Sequence, residues 1–173
     1  MTVQKNGSQM FRYAIRLEQD DNDTVLVTCR DLPEVVTFGD TEDDAIYHAL
    51  DAIVAALSFR MDENKDIPEA SPPDEGEELV CLPSLIVQKI ALYRMLRERK
   101  MTQVALASLM GDDPKTVRRL LDPTHASRQN LIDRAFRSLG FVVEPHIVEA
   151  PRRQPNPRGF LRQSVIEREL DLV

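Results

Sequence analysis

Apolar and polar residues alternate through Phe11-Arg12-Tyr13-Ala14-Ile15-Arg16-Leu17-Glu18, which predicts a first strand with Phe11, Tyr13, Ile15 and Leu17 on one face. An acidic turn, Gln19 to Asp23, leads into the β-rich run Thr24 to Cys29, so the two segments predict an antiparallel hairpin with a longer loop. Asp31-Leu32-Pro33 breaks the pattern. Val35-Val36-Thr37-Phe38 predicts a third short strand that stops at Gly39, where backbone freedom serves a tight turn. At Thr41 the period changes from two to that of a helix: Ile46, Leu50, Ile53, Val54 and Leu57 form one apolar stripe, through about Phe59, that must lie on a sheet. The Thr41 hydroxyl can cap this helix and Asp44 can reach back toward its start, a variant of the capping box.

Residues 62–78 are acidic and carry Pro68, Pro72, Pro73 and Gly76, which predicts a loop. Leu79-Val80-Cys81-Leu82 then predicts a fourth strand before Pro83. The order β-β-β-α-β gives a first domain over 10–82. Ser84 can cap a helix running to about Lys100, with Leu85, Ile86, Ile90, Leu92 and Leu96 on a broad apolar face. A further helix is predicted over Thr124 to Leu139, carrying Leu131, Ile132, Ala135 and Phe136 and ended by Gly140. Phe141-Val142-Val143 adds a candidate short strand. The expected fold class is α+β, with an all-α second domain over 83–148. The tail 149–173 has no periodic pattern until a weakly helical end at 164–173, and is expected to be disordered.

Between those helices, Met101 to Asp122 fits a helix-turn-helix wherever geometry restricts the residue. Two helices crossing steeply need a small residue at their contact, supplied by Ala107, and the turn needs a residue tolerant of left-handed backbone, supplied by Gly111. Val117 and Leu120 pack the second helix on the first. Asp113 can cap that second helix and Pro114 occupies its first position, where no amide donor is missed. Lys115, Thr116, Arg118 and Arg119 are left outward, and Thr102 and Gln103 open the first helix. Basic, hydroxyl and amide side chains in these places reach phosphates and base edges in a major groove, which makes these six the candidate DNA-binding residues. An ordinary α-α corner with a solvated basic face accounts for fewer of the constrained positions.

Charge sharpens this division. Residues 11–82 hold 19 Asp/Glu against 5 Lys/Arg, and residues 83–173 hold 10 against 16, within a total of −7. An acidic half suits a basic protein partner and a basic half suits phosphate; two solvated faces of ordinary domains are the alternative on charge alone. Composition excludes other classes. About 18 consecutive apolar residues are needed to cross a bilayer and none such occur, nor does the start MTVQKNGSQM have the apolar centre of a signal peptide, so a cytoplasmic protein is expected. Cys29 and Cys81 are not in a C-x-x-C pair and the three histidines are scattered, so no metal or cofactor is expected and both thiols are read as reduced core residues.

The region from Ser84 to Gly140, with helices before and after the turn, resembles the five-helix lambda-repressor-like family. FRYAIRLE, then VLVTCRDLPEVVTFGDTEDDAIYHALDAIVAAL, then IPEASPP resemble the N-terminal domain of HicB antitoxins, with Asp31, Leu32, Pro33, Glu34, Gly39, Asp40 and Thr41 at the family's turn and helix start. HASRQNLIDRAFRSLG, starting at His125, is similar to the stretch that follows the DNA-binding helices in HicB proteins of this kind. The resemblance spans about residues 10–148. It implies a truncated ribonuclease-H-like domain that binds a small basic HicA toxin, an mRNA-cleaving ribonuclease, and a second domain that binds operator DNA of its own operon as a homodimer or larger assembly.

Ribonuclease-H-like folds often cut nucleic acid with two metals held by carboxylates. Here the first strand offers Arg12, Arg16 and Glu18 on its polar face but no central Asp, so no catalytic constellation is assembled and no enzyme is expected. His48 has no Ser or Cys neighbour to serve as a base, and His125 is a candidate for a phosphate contact or for packing. Arg152, Arg153, Arg158 and Arg162 suit a solvated tail. A solitary transcription regulator whose first domain binds another protein or a ligand remains the rival reading.

Overall fold

The computed structural model describes residues 11–145, 147 and 150. The expected disorder of the tail, its weak helix and Arg152, Arg153, Arg158 and Arg162 lie outside these residues, apart from Ala150. The described residues separate into two compact units, one of 11–56 and 68–82, the other of 57–67 and 83–145.

In the first unit four strands form an antiparallel sheet in the order β3-β2-β1-β4: β1 (Arg12–Gln19), β2 (Val25–Thr28), β3 (Val36–Gly39) and β4 (Glu77–Cys81). Alternation along β1 and β2 sets the inner face. Tyr13, Ile15, Val25, Val27 and Cys29 are buried there, with Leu17 facing Val27 and Val25 facing Gly39 in the register. The β1–β2 turn closes through Asp20 N–H to the Thr24 carbonyl at 2.8 Å, with Asp23 at φ 63°.

Helix α1 (Glu42–Asp62) starts as the sequence predicts, since the Thr41 hydroxyl accepts the Asp44 amide at 3.2 Å. The reciprocal Asp44 bond goes to the amide of Asp40 at 3.4 Å rather than that of Thr41. Ala45, Ile46, Ala49, Leu50, Ile53 and Val54 are all buried and cover the inner face of the sheet. Each Ile or Leu so buried contributes about 1.5 to 3 kcal/mol. Gly39 is needed for a different reason from the tight turn predicted: a Cβ there would lie 2.2 Å from the Ala45 nitrogen, so the end of β3 and the first turn of α1 touch backbone to backbone.

The acidic segment after α1 is irregular, but its last two predicted residues, Glu77 and Glu78, belong to β4. It is anchored. Tyr13 Oη donates to the Pro68 carbonyl at 3.0 Å, the Asp31 carboxylate accepts the Ser71 amide and hydroxyl at 2.8 and 2.7 Å, and Arg30 pairs with Asp74 at 2.8 Å and Glu77 at 3.2 Å. Cys29 is buried and Cys81 half-buried, so Cys81 is not the core residue expected; burial raises the pKa of both thiols.

The second unit contains α2 (Ser84–Glu98), α3 (Gln103–Met110), α4 (Pro114–Leu121) and α5 (Gln129–Ser138), with α2 packed on α4 and α5 and α3 on α4 and α5. Three expectations are corrected. Ser84 does not cap α2: Pro83 is the capping residue, its carbonyl taking the amides of Ile86 and Val87 at 2.9 and 3.1 Å, and Ser84 is already helical. Residues 124–128 are not helical, because Pro123 forces Asp122 into extended backbone and the Asp122 and His125 carbonyls turn toward Lys89. Phe141 to Val143 is no strand, since Phe141 lies 4.8 Å under the Arg99 guanidinium and Val142 is 71% exposed with no strand beside it. Residues 83–145 thus hold four helices rather than five. No helix of the described residues is long and apolar enough to cross a membrane.

Candidate nucleic-acid interface

Thr102 opens α3 by accepting the Ala105 amide on its hydroxyl at 3.1 Å. At the other end Gly111 takes φ 65°, ψ 37°, and the amides of Gly111 and Asp112 return to the carbonyls of Ser108 and Ala107 at 3.2 and 2.9 Å. The left-handed backbone closes one helix and releases the chain toward the next. No atom crowds a Cβ at Gly111, so the requirement there is conformational and not spatial. Gly111→Val is therefore expected to lose about 1 to 2 kcal/mol of stability, the cost of left-handed backbone for a side-chain-bearing residue. Chemical denaturation reads this, and a variant as stable as the parent would show that the turn accepts another geometry.

Asp113 caps α4, its carboxylate accepting the Thr116 amide at 2.8 Å and the Thr116 hydroxyl at 3.3 Å. The bond from the Thr116 amide, chiefly, holds the Asp113 carboxyl below the usual carboxylate range. Pro114 follows at the first helical position as predicted. Val117, Leu120 and Leu121 are buried, and Leu106, Ala107 and Met110 of α3 supply the matching surface.

The six sequence-predicted residues fall into two places. Thr102 and Gln103 are exposed at the start of α3. Lys115, Arg118 and Arg119 are exposed on α4, and Thr116 is half-buried with its hydroxyl engaged at the cap. Helical spacing puts Lys115 and Arg119, four residues apart, on the side opposite Val117, Leu120 and Leu121, with Arg118 on one flank and Thr116 on the other. A short helix thus presents three cations outward, while its other side is buried.

Beside Arg119 the surface continues into a groove of about 710 Å³ lined by Asp112, Thr116, Arg119, His125, Arg128, Asn130 and Arg134, among others. Arg134 pairs with Asp112, which leaves Arg119 and Arg128 as the cations not matched by a carboxylate in the lining. Arg128, Asn130 and Arg134 escape the sequence reading because it starts the last helix at Thr124, which turns Arg128 into a mid-helix residue. Pro123 and the turn formers Thr124 and Ser127 were the signals for a later start.

Behind α4, Lys89 of α2 is fully buried and its ammonium donates to the carbonyls of Asp122 at 2.6 Å, His125 at 2.5 Å and Arg119 at 3.5 Å. It joins the C-terminus of α4 to the loop that forms the groove, where a cation also suits the helix dipole. Burial, opposed by the Asp122 charge, pushes its pKa down to about 8. His125, half-buried in the groove wall, contributes its carbonyl to this arrangement. His48 belongs to the first unit, where its Nδ1 lies 2.7 Å from the Phe38 carbonyl.

Among the described residues, no three His, Cys, Asp or Glu side chains cluster so that they could hold a metal ion. Residues 12–91 match the family model described as the HicB-like antitoxin of bacterial toxin–antitoxin systems. Over 137 residues the chain is 31% identical to Antitoxin HicB 2 of Photorhabdus laumondii, an alignment that covers 79% of this chain and 96% of that protein. It is 33% identical over 135 residues to Antitoxin HicB of Pseudomonas fluorescens, covering 78% and 92% respectively. Antitoxin HicB of Escherichia coli is 28% identical over 130 residues, covering 75% of this chain and 94% of its own length.

Proposed function

The chain belongs to the HicB-like antitoxin family, and from that membership we propose that it is the antitoxin of a two-protein operon, neutralising a HicA-type RNA-cleaving toxin and repressing its own transcription. Residues 10–82 bind the toxin and residues 83–148 bind the operator. It acts by occlusion rather than by catalysis, and its role places it in the cytoplasm. The observation that carries the DNA half of this reading is α4: a helix buried on one side with Lys115, Arg118 and Arg119 exposed, entered through a left-handed turn from a helix opened by Thr102 and Gln103. In this reading Arg119 or Arg118 reads base edges, and Thr102, Gln103 and Lys115 with Arg128 of the groove hold phosphates, while Thr116, whose amide and hydroxyl both donate to Asp113, serves the helix cap instead of the phosphate contact expected of it. A homodimer would present two such helices to half-sites about 34 Å apart.

The test is operator binding followed by fluorescence anisotropy at several salt concentrations. Arg118→Ala or Arg119→Ala is expected to weaken binding by about 1 to 3 kcal/mol where a bidentate base contact is lost, and added salt should weaken the parent steeply. Full affinity in both variants would remove α4 as the reading helix. A flat salt response would point to a protein-binding role for the basic half.

A further inference from the structure

In an antiparallel sheet with one covered face, the open face is ordinarily polar. Here it is not so at the β3 edge. Val36 and Phe38 are 62% and 59% exposed on that face, and the register sets Phe38 beside Leu26 and Leu26 beside Glu18, with Val36 beside Thr28 and Thr28 beside Arg16. Directly opposed side chains in a ladder lie about 5 Å apart, so Phe38 and Leu26 form one continuous apolar step. The end of the sheet at which this step lies is also where the β1–β2 turn and the β3–α1 connection emerge. The topology therefore frames it with exposed Asp20, Asp21, Asp23 and Asp40, and with Glu18 in the same row.

We propose that this face, with Phe38 as its apolar anchor and Val36 and Leu26 around it, is the docking surface for a small basic protein. The inference rests on the antitoxin reading and names the surface by which the toxin is held. An exposed aromatic residue with apolar neighbours inside a charged rim is the arrangement of an interface centre. The sign of the rim selects the occupant. A second copy of this chain would bring two acidic ends together, since residues 11–82 hold 19 Asp/Glu against 5 Lys/Arg, and like charges across an interface exclude the wrong partner. Strand addition at the edge is hindered as well, because the Phe38 carbonyl already has His48 Nδ1 at 2.7 Å. The face, not the edge, is left for a partner.

The experiment uses the full chain and the purified product of the short basic reading frame beside its gene. Affinity is read by calorimetry, and oligomeric state by light scattering. The double variant Val36→Ser/Phe38→Ser is expected to weaken binding at least 30-fold while operator binding is kept. Glu18→Lys, which leaves the apolar step intact, is expected to weaken binding at low salt and to reduce its salt dependence. Unchanged partner affinity in both variants overturns this surface but leaves the antitoxin reading standing; a parent chain that does not bind the basic protein at all overturns that reading. A change in self-association with unaltered partner affinity would make the face an interface between copies, and would equally overturn the proposal.

Discussion

Gly39→Ala is expected to be among the most damaging single substitutions in the sheet unit, destabilising it by about 3 kcal/mol or more, although it adds one methyl group. The added Cβ would sit 2.2 Å from the Ala45 nitrogen and 2.7 Å from the Ala45 Cα and the Asp44 carbonyl carbon. All three are backbone atoms, so no rotamer change relieves the overlap, and insertion into a packed site with nothing able to yield lies at the costly end of overpacking. Either β3 leaves β2 or the first turn of α1 lifts away, which would break the Thr41 cap and the contacts of Ala45 and Ile46. Hydrogen exchange followed by mass spectrometry on the full chain reads this segment by segment. Faster exchange is expected in 12–19, 25–39 and 42–56 together with loss of toxin neutralisation, while 84–138 keeps its protection and operator binding persists. Unaltered protection in 25–56 would show that the close approach yields readily. Equal loss in both regions would show that the two units do not fold independently.

The first unit was largely legible because its cause is periodic. Alternation along β1 and β2 and the Ile46-Leu50-Ile53-Val54 part of the α1 stripe are properties of consecutive residues, and the observed burial follows them except that Ala14, on the other face of β1, is also fully buried and Leu17 is only half-buried. Gly39 stands out in the sequence as a turn glycine, but what requires it is the close approach between β3 and α1, which depends on two segments meeting and leaves no local mark. The same holds at the interface. Thr102, Gly111, Asp113 and Pro114 do what local geometry asks of them, so the turn and both helix starts were predictable. What escaped was the segment 124–128, whose shape is set by an ammonium group donated from a helix more than thirty residues earlier. With the helix start misplaced, the groove and Arg128 could not be seen. A signal for the missing partner did exist: Lys89 follows Ile86 by three and precedes Tyr93 by four, so it stands in the apolar stripe of α2 and not on its wet face.

That position leads to a second large effect, on the helical unit. Lys89→Ala is expected to cost about 3 to 5 kcal/mol, because it combines the cavity left by a fully buried stem with the removal of the ammonium from three carbonyls. The Asp122 and Arg119 carbonyls keep backbone partners in the amides of His125 and Asp122 at 3.1 and 3.3 Å, which bounds the polar part of the loss. Lys89→Met separates the two contributions, since it keeps the stem's volume and removes the hydrogen bonds to the three carbonyls; about 1 to 2 kcal/mol is expected. The pH dependence distinguishes the parent from both variants. The folded-state pKa of about 8 lies below the unfolded value of 10.5. Between those two values the unfolded chain therefore holds a proton that the folded chain has shed, and parental stability rises with pH through that window relative to Lys89→Met. Urea denaturation of the three proteins at pH 7 and at pH 9.5 measures both effects, with operator binding recorded alongside. Equal stability of Lys89→Met and the parent at both pH values would show that the buried ammonium does not hold the 122–128 loop. The shape of the groove beside Arg119 and Arg128 would then have to be set by the loop itself.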